Sequence, residues 1–158
     1  MNLNDYFEAT WKARGKLLDA AEKLTKDEWR REFDFSWKSM QKLFAHIIEV
    51  ERSWMAEDIL RETHKRPVDE AIDRLYASPD LTRSRGREAA DQTRAVLVEF
   101  VPGKLGETRE GKDIDGNVVQ FTVEQILTHV FTHELRHQGQ LQVMLRLMGK
   151  PAPNADWI

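Results

Sequence analysis

The chain contains no cysteine. That one absence excludes disulfides, iron–sulfur clusters, thiolate zinc sites and a cysteine nucleophile. Long apolar runs are also missing: no stretch reaches the ~18 apolar residues of a transmembrane helix. The opening MNLNDYFEATWK lacks a basic segment followed by an apolar one, so no secretory leader is read there and a cytoplasmic protein is expected. Positive charge is not in excess. With a net charge of -3, no global basic field exists to draw nucleic acid. The best basic cluster, Arg83, Arg85, Arg87 and Arg94, is diluted by Glu88 and Asp91 and reads as a solvated helix face. What is present is a chain of 158 residues with 41% hydrophobic content, enough to bury a core as a single domain spanning 1–158. Histidine is scarce but uneven, with three of five falling between 129 and 137. Metal or acid–base chemistry must therefore draw on His, Asp, Glu, Tyr or Lys.

Periodicity predicts an all-α protein. Leu3, Phe7, Thr10, Leu17, Ala21 and Leu24 mark a helix over 3–24, with Asn2 and Asn4 available as caps. Thr25 and Glu28 form a capping-box pattern for a short turn around Trp29. A second long helix is expected from Ser36 to Glu62, its inner face carrying Met40, Leu43, Ile47, Val50 and Trp54, with His46 on or beside that stripe. A connection over 63–80 holds a short helix from Val68 to Tyr76, and a third long helix runs from Leu81 to Val101 before Pro102-Gly103. The glycine-rich stretch 104–121 reads as a β-hairpin turning at Asp115-Gly116-Asn117, flanked by Lys112-Asp113-Ile114 and Val118 to Phe121. Thr122 and Gln125 box the start of a last helix that ends at Gly149. The expected architecture is a four-helix bundle with a crossover connection and a small β-hairpin before the last helix.

The last helix carries His129, His133 and His137. Residues four apart on a helix advance ~400° and ~6 Å, so two such imidazoles can share one ion, whereas His129 and His137, ~12 Å apart, cannot. The inner stripe runs Ile126, Val130, His133, His137, Leu141, Met144, Met148, which places two imidazoles at core positions. Buried imidazoles need polar partners, and His46 is available at an interior position of another helix. Three neutral His ligands would leave tetrahedral zinc one open position, the arrangement of catalytic sites. The other reading is core or rim histidines satisfied by water and side chains. His64 reads as solvated, and His129 as a pocket wall. Glu49, one turn after His46, is a candidate to orient a ligand or relay a proton, with a surface glutamate as its alternative. His133-Glu134-Leu135-Arg136-His137 also matches the H-E-x-x-H peptidase motif. No Glu or His follows His137 to complete that set, so Glu134 remains only a candidate general base, its alternative being a surface charge.

At these residues the sequence resembles the DinB/YfiT-like family of metal-binding four-helix bundles. The likeness rests on the string LFAHIIEVERSW with His46, Glu51 and Trp54, on the last-helix pattern of His129, His133, His137, Gly139 and Gln140, and on the ending LRLMGKPAPNADWI. Gln138 stands where the family often has Arg. The resemblance implies that His46, His133 and His137 bind one divalent metal; imidazole ligands suit zinc, nickel, iron and copper, and zinc or nickel is expected first, with iron or manganese as further choices. It implies a metal-dependent enzyme on a small-molecule substrate: a thiol-dependent S-transferase using bacillithiol, mycothiol or glutathione, or a maleylpyruvate isomerase; a metal-activated water would make a hydrolase the further choice. A homodimer is implied too, and a docked Trp157. The competing class is a non-enzymatic, stress-related bundle holding a metal or small ligand. Neither a nucleic-acid nor a membrane partner is expected. Trp54 is expected in the core below His46, where its indole could also wall the pocket, and Trp11, Trp29 and Trp37 in the core or a dimer seam.

Overall fold

The computed structural model describes residues 2–112 and 115–154. Asp113 and Ile114 of the expected hairpin, and Asp156 and Trp157 of the expected docked ending, lie outside the described residues. Helix α1 spans Leu3–Ala21, its N-terminus capped by Asn2, whose side chain accepts from the Asp5 amide. Helix α2, Lys26–Arg30, opens on the Thr25–Glu28 capping box and buries Trp29. Helix α3, Met40–Ser53, continues as a π-helical segment over Trp54–Ile59. It starts four residues later than Ser36 because Ser36 and Lys38 take φ of 52° and 67°, a left-handed conformation that no helix continues. Helix α4 is Asp69–Leu75. Helix α5, Pro79–Phe100, begins two residues before the expected Leu81 because Ser78 caps it and Pro79 suits its first position. Strands β1, Thr108–Lys112, and β2, Val118–Thr122, pair antiparallel with Thr108 opposite Thr122. The first strand meets the expected flank Lys112-Asp113-Ile114 at Lys112. Helix α6, Val123–Leu147, opens on the Thr122–Gln125 box and closes before Gly149, which takes φ 70°.

The four long helices form a ring in which α1 packs on α6, α6 on α3, α3 on α5 and α5 on α1. Consecutive long helices α1 and α3 therefore sit across a diagonal, as do α5 and α6. The links 22–39 and 101–122 cross the ends of the bundle, and the hairpin belongs to the second. The core divides into two main apolar clusters. One gathers Phe7, Met55, Phe100, Val130 and Phe131; the other gathers Leu17, Trp29, Phe44, Ile47, Leu141 and Met144. Each large apolar side chain so buried contributes roughly 1.5–3 kcal/mol. Between them along α1, α3, α5 and α6 lies a polar waist: Arg14, Glu51, Thr93, His133, Glu134, His137 and Gln138, all buried. Among the described residues no helix is long and apolar enough to cross a membrane.

Candidate metal centre

The waist brings three imidazoles together. The Nε2 atoms of His46 and His133 lie 3.0 Å apart, and those of His137 and His133 lie 3.1 Å apart. All three ligand atoms fall within 4.8 Å of one another. Helix α3 supplies His46 and helix α6 the other two, one turn apart. The loop before α3 folds back through its two left-handed residues and lays Trp37 on the His46 ring, 4.0 Å between centroids and 20° from parallel. Gln140, one turn beyond His137, holds that ring from the other side: His137 Nδ1–H donates to Gln140 Oε1 at 2.6 Å, and Ser36 Oγ donates to the same oxygen at 2.7 Å.

The donor set fits a divalent ion. A proton on Nδ1 leaves the His137 Nε2 as a lone pair. One proton on His133 Nε2 can satisfy only one of its two neighbours, so facing lone pairs remain unless a cation lies among them. Zinc–nitrogen bonds of about 2.0–2.1 Å place tetrahedral neighbours about 3.3 Å apart, close to the separations observed. The rings are also kept neutral, as metal binding requires. Burial, then the neighbouring imidazole and two arginines, pushes His46 down to about 4. Burial and the two flanking imidazoles push His133 down to about 3. Burial lowers His137 as well, against the opposing pull of Gln140.

The other candidates are placed differently. Glu134 is neither a surface charge nor an open base. Its Oε1 and Oε2 accept from Arg14 Nε and Nη2 at 2.7 and 2.6 Å, and Gln138 Nε2 donates to Oε1 at 2.8 Å. Burial raises its carboxyl pKa while Arg14 pulls it back. Glu49 is buried too, so of its two readings the surface glutamate is excluded. Its Oε1 accepts from Tyr76 Oη at 2.5 Å and from Arg85 Nη2 at 2.6 Å. Its Oε2 has no hydrogen bond and faces His64 Nε2 at 3.4 Å. His64 is therefore not solvated; its side chain is 14% exposed and lies against this carboxylate. His129 is exposed and stands beside Trp54, ring centroids 5.3 Å apart, in the wall of a cavity of about 420 Å³ with Phe121 and Ile126. Trp54 is half-buried, packed against the first apolar cluster and walling this cavity beside His129. Of the expected basic face, Arg83 pairs with Asp19 and Glu22, Arg85 with Glu49, and Arg94 with Glu8 and Asp91. Sequence spacing left Trp37, Ser36 and Gln140 without roles; only Gln140, at i+3 from His137, had a helical signal that points to the site.

The crystal structure of a DinB-like protein, YjoA, from Bacillus subtilis shares this fold. The match covers 96% of each chain with a TM-score of 0.62 at 19% identity. Comparison with curated proteins finds no match. The family comparison matches residues 1–158 in full, and the chain belongs to the DinB family.

Proposed function

We propose that the chain is a metal-dependent enzyme acting on small molecules, a single domain in which His46, His133 and His137 hold one divalent ion, zinc or nickel first. The convergence of three Nε2 atoms on one point carries this reading. When bound, the ion would act as a Lewis acid with an open position, lowering the pKa of a thiol or water held there. The chain's own residues set up the rest. Gln140 keeps the His137 proton on Nδ1, and Trp37 covers one face of His46. A cavity of about 220 Å³ opens beside His46, between Trp37 and Pro67, and offers a small substrate an apolar wall. Because the chain has no cysteine, thiol chemistry would use a thiol-bearing cosubstrate, which favours thiol-dependent S-transfer, with hydrolysis as the second reaction class. A cytoplasmic homodimer is the proposed setting.

Elemental analysis of the purified protein tests the metal. About one ion per chain is expected, and His133→Ala should remove most of it; full occupancy in that variant would refute the ligand set. A panel of low-molecular-weight thiols with electrophilic acceptors, run beside simple esters and amides, tests the reaction. Metal-dependent product is expected with one class. A loaded protein that turns over none of them would favour the non-enzymatic, ligand-holding bundle.

A further inference from the structure

Beside the cavity that His46 and Trp37 share, two buried polar atoms face each other without a hydrogen bond. Glu49 lines that cavity. Its Oε1 is fully engaged: Tyr76 Oη donates to it at 2.5 Å, and Arg85 Nη2 and Nε donate at 2.6 and 3.1 Å. Its Oε2 has no hydrogen bond and lies 3.4 Å from His64 Nε2, which has none either. The groups facing Glu49 come from every element around it. Tyr76 ends α4, Arg85 stands on α5, and His64 sits on the irregular connection 61–68. Arg52, on the same helix as Glu49, brings Nε only to 3.9 Å from Oε2, because its Nη1 is drawn to Glu88 at 3.2 Å. The remaining charged side chains in the cavity wall are of both signs: Lys42, which pairs with Glu32, then Arg66 and Asp69.

A carboxylate oxygen only accepts, whereas an imidazole nitrogen accepts or donates according to its tautomer. One proton between Oε2 and Nε2 therefore satisfies both atoms, whichever of them carries it. Buried polar atoms are seldom left open, and here the surroundings hold the opening in place: Tyr76 and Arg85 fix the carboxylate through its other oxygen. Nδ1 lies on the far side of the His64 ring, which is partly exposed. We propose that Glu49 and His64 carry a proton out of the cavity beside His46. When a thiol or water there becomes the nucleophile, its S–H or O–H bond breaks and the electron pair stays on sulfur or oxygen. The proton passes to Glu49 Oε2 and on to His64 Nε2, and the ring releases its Nδ1 proton to water; a turn of the ring resets it. Glu49 is the catalytic residue, and His64 acts through it. The inference rests on the metal-dependent reading in so far as that reading supplies the ionising thiol or water.

Full-length protein loaded with cobalt(II) tests the route, because the visible absorption of cobalt changes when an ionised thiol reaches it. 2-Mercaptoethanol is added by stopped flow; the rate and the final amplitude are both read, and metal content is measured alongside. Glu49→Gln and His64→Gln should each slow the change by about 100-fold, the lower end of what a positioned base contributes, with the amplitude unchanged. A high concentration of a non-coordinating buffer should restore the rate in both variants. The metal-free protein gives a second readout: the shared Nε2 proton should appear far downfield in the NMR spectrum of the parent, and be lost or moved upfield in both variants. His64→Gln leaves the contacts of Glu49 with Tyr76 and Arg85 in place, so it carries the test if Glu49→Gln does not fold. Unchanged rates, slowed rates that buffer does not restore, or a parent without the downfield proton overturn the inference while the metal centre stands. A loaded parent whose spectrum does not respond to the thiol overturns the thiol reading of that centre, and this inference with it.

Discussion

Gln140 prepares His137 before any ion arrives. Its carbonyl oxygen accepts the hydrogen bond from Nδ1–H and is itself anchored by Ser36, so the ring presents Nε2 as a lone pair in a fixed direction. Replacing Gln140 by Leu keeps the bulk and removes the acceptor, freeing the imidazole to rotate and to move its proton to Nε2. Metal affinity should fall about 10- to 100-fold, measured by competition with a chromophoric chelator, while helix content stays unchanged. An affinity equal to that of the parent protein would show that packing alone orients the ring. Trp37 acts on His46 by a different means, stacking on its face, and that contact depends on a loop whose Ser36 and Lys38 are left-handed without being glycine. No local sequence signal marks such residues, which is why Trp37 could not be assigned from spacing.

The four long helices are tied at the waist by Arg14. From α1 it reaches Glu134 on α6 and Glu51 on α3, and Glu51 in turn accepts from Thr93 of α5 at 2.6 Å. Burial alone would lower the Arg14 pKa, but Glu134 and Glu51 raise it well above the usual arginine value, so the cation is permanent. Arg14→Met should cost about 3–5 kcal/mol, because it leaves two carboxylates buried without their cation; urea unfolding of the metal-free variant would show it, and a loss below 1 kcal/mol would assign the network the weight of a surface pair. This network also marks the limit of what periodicity reveals. The inner stripe of α6 from Ile126 through His137 to Met144 was legible, because a 3.6-residue repeat needs no partner to be seen. The Thr122–Gln125 box was legible for the same local reason. Glu134 and Gln138 extend the buried face, yet charged and amide side chains read as surface until Arg14, 120 residues away, is brought beside them. His64 was misread as solvated and Glu49 was left open between two readings for the same reason, since their burial depends on Arg85 and Tyr76 from other elements.

The whole molecule places a neutral imidazole cluster between two apolar cores, and this makes its stability depend on acid. In the unfolded chain a histidine titrates near 6.5, whereas burial and its neighbours hold His46 near 4 and His133 near 3 in the fold. Between those values the unfolded chain binds protons that the folded chain refuses, so stability must decrease as the pH falls. Above 6.5 both states are neutral at these positions and they add no pH dependence. The metal-free protein should therefore show a steady urea midpoint above 6.5 and a declining one from there towards 4. His133→Ala removes one titrating group and should flatten that decline, which separates the imidazole effect from the acid titration of carboxylates elsewhere. Zinc or nickel should raise the unfolding free energy at neutral pH, and with it the midpoint, by an amount that grows with free metal, about 2.7 kcal/mol at a hundredfold excess over Kd. The increment should shrink as acid protonates the ligands. A midpoint indifferent to both metals at neutral pH, in protein stripped by chelation, would mean that the three imidazoles are held by the bundle for packing alone.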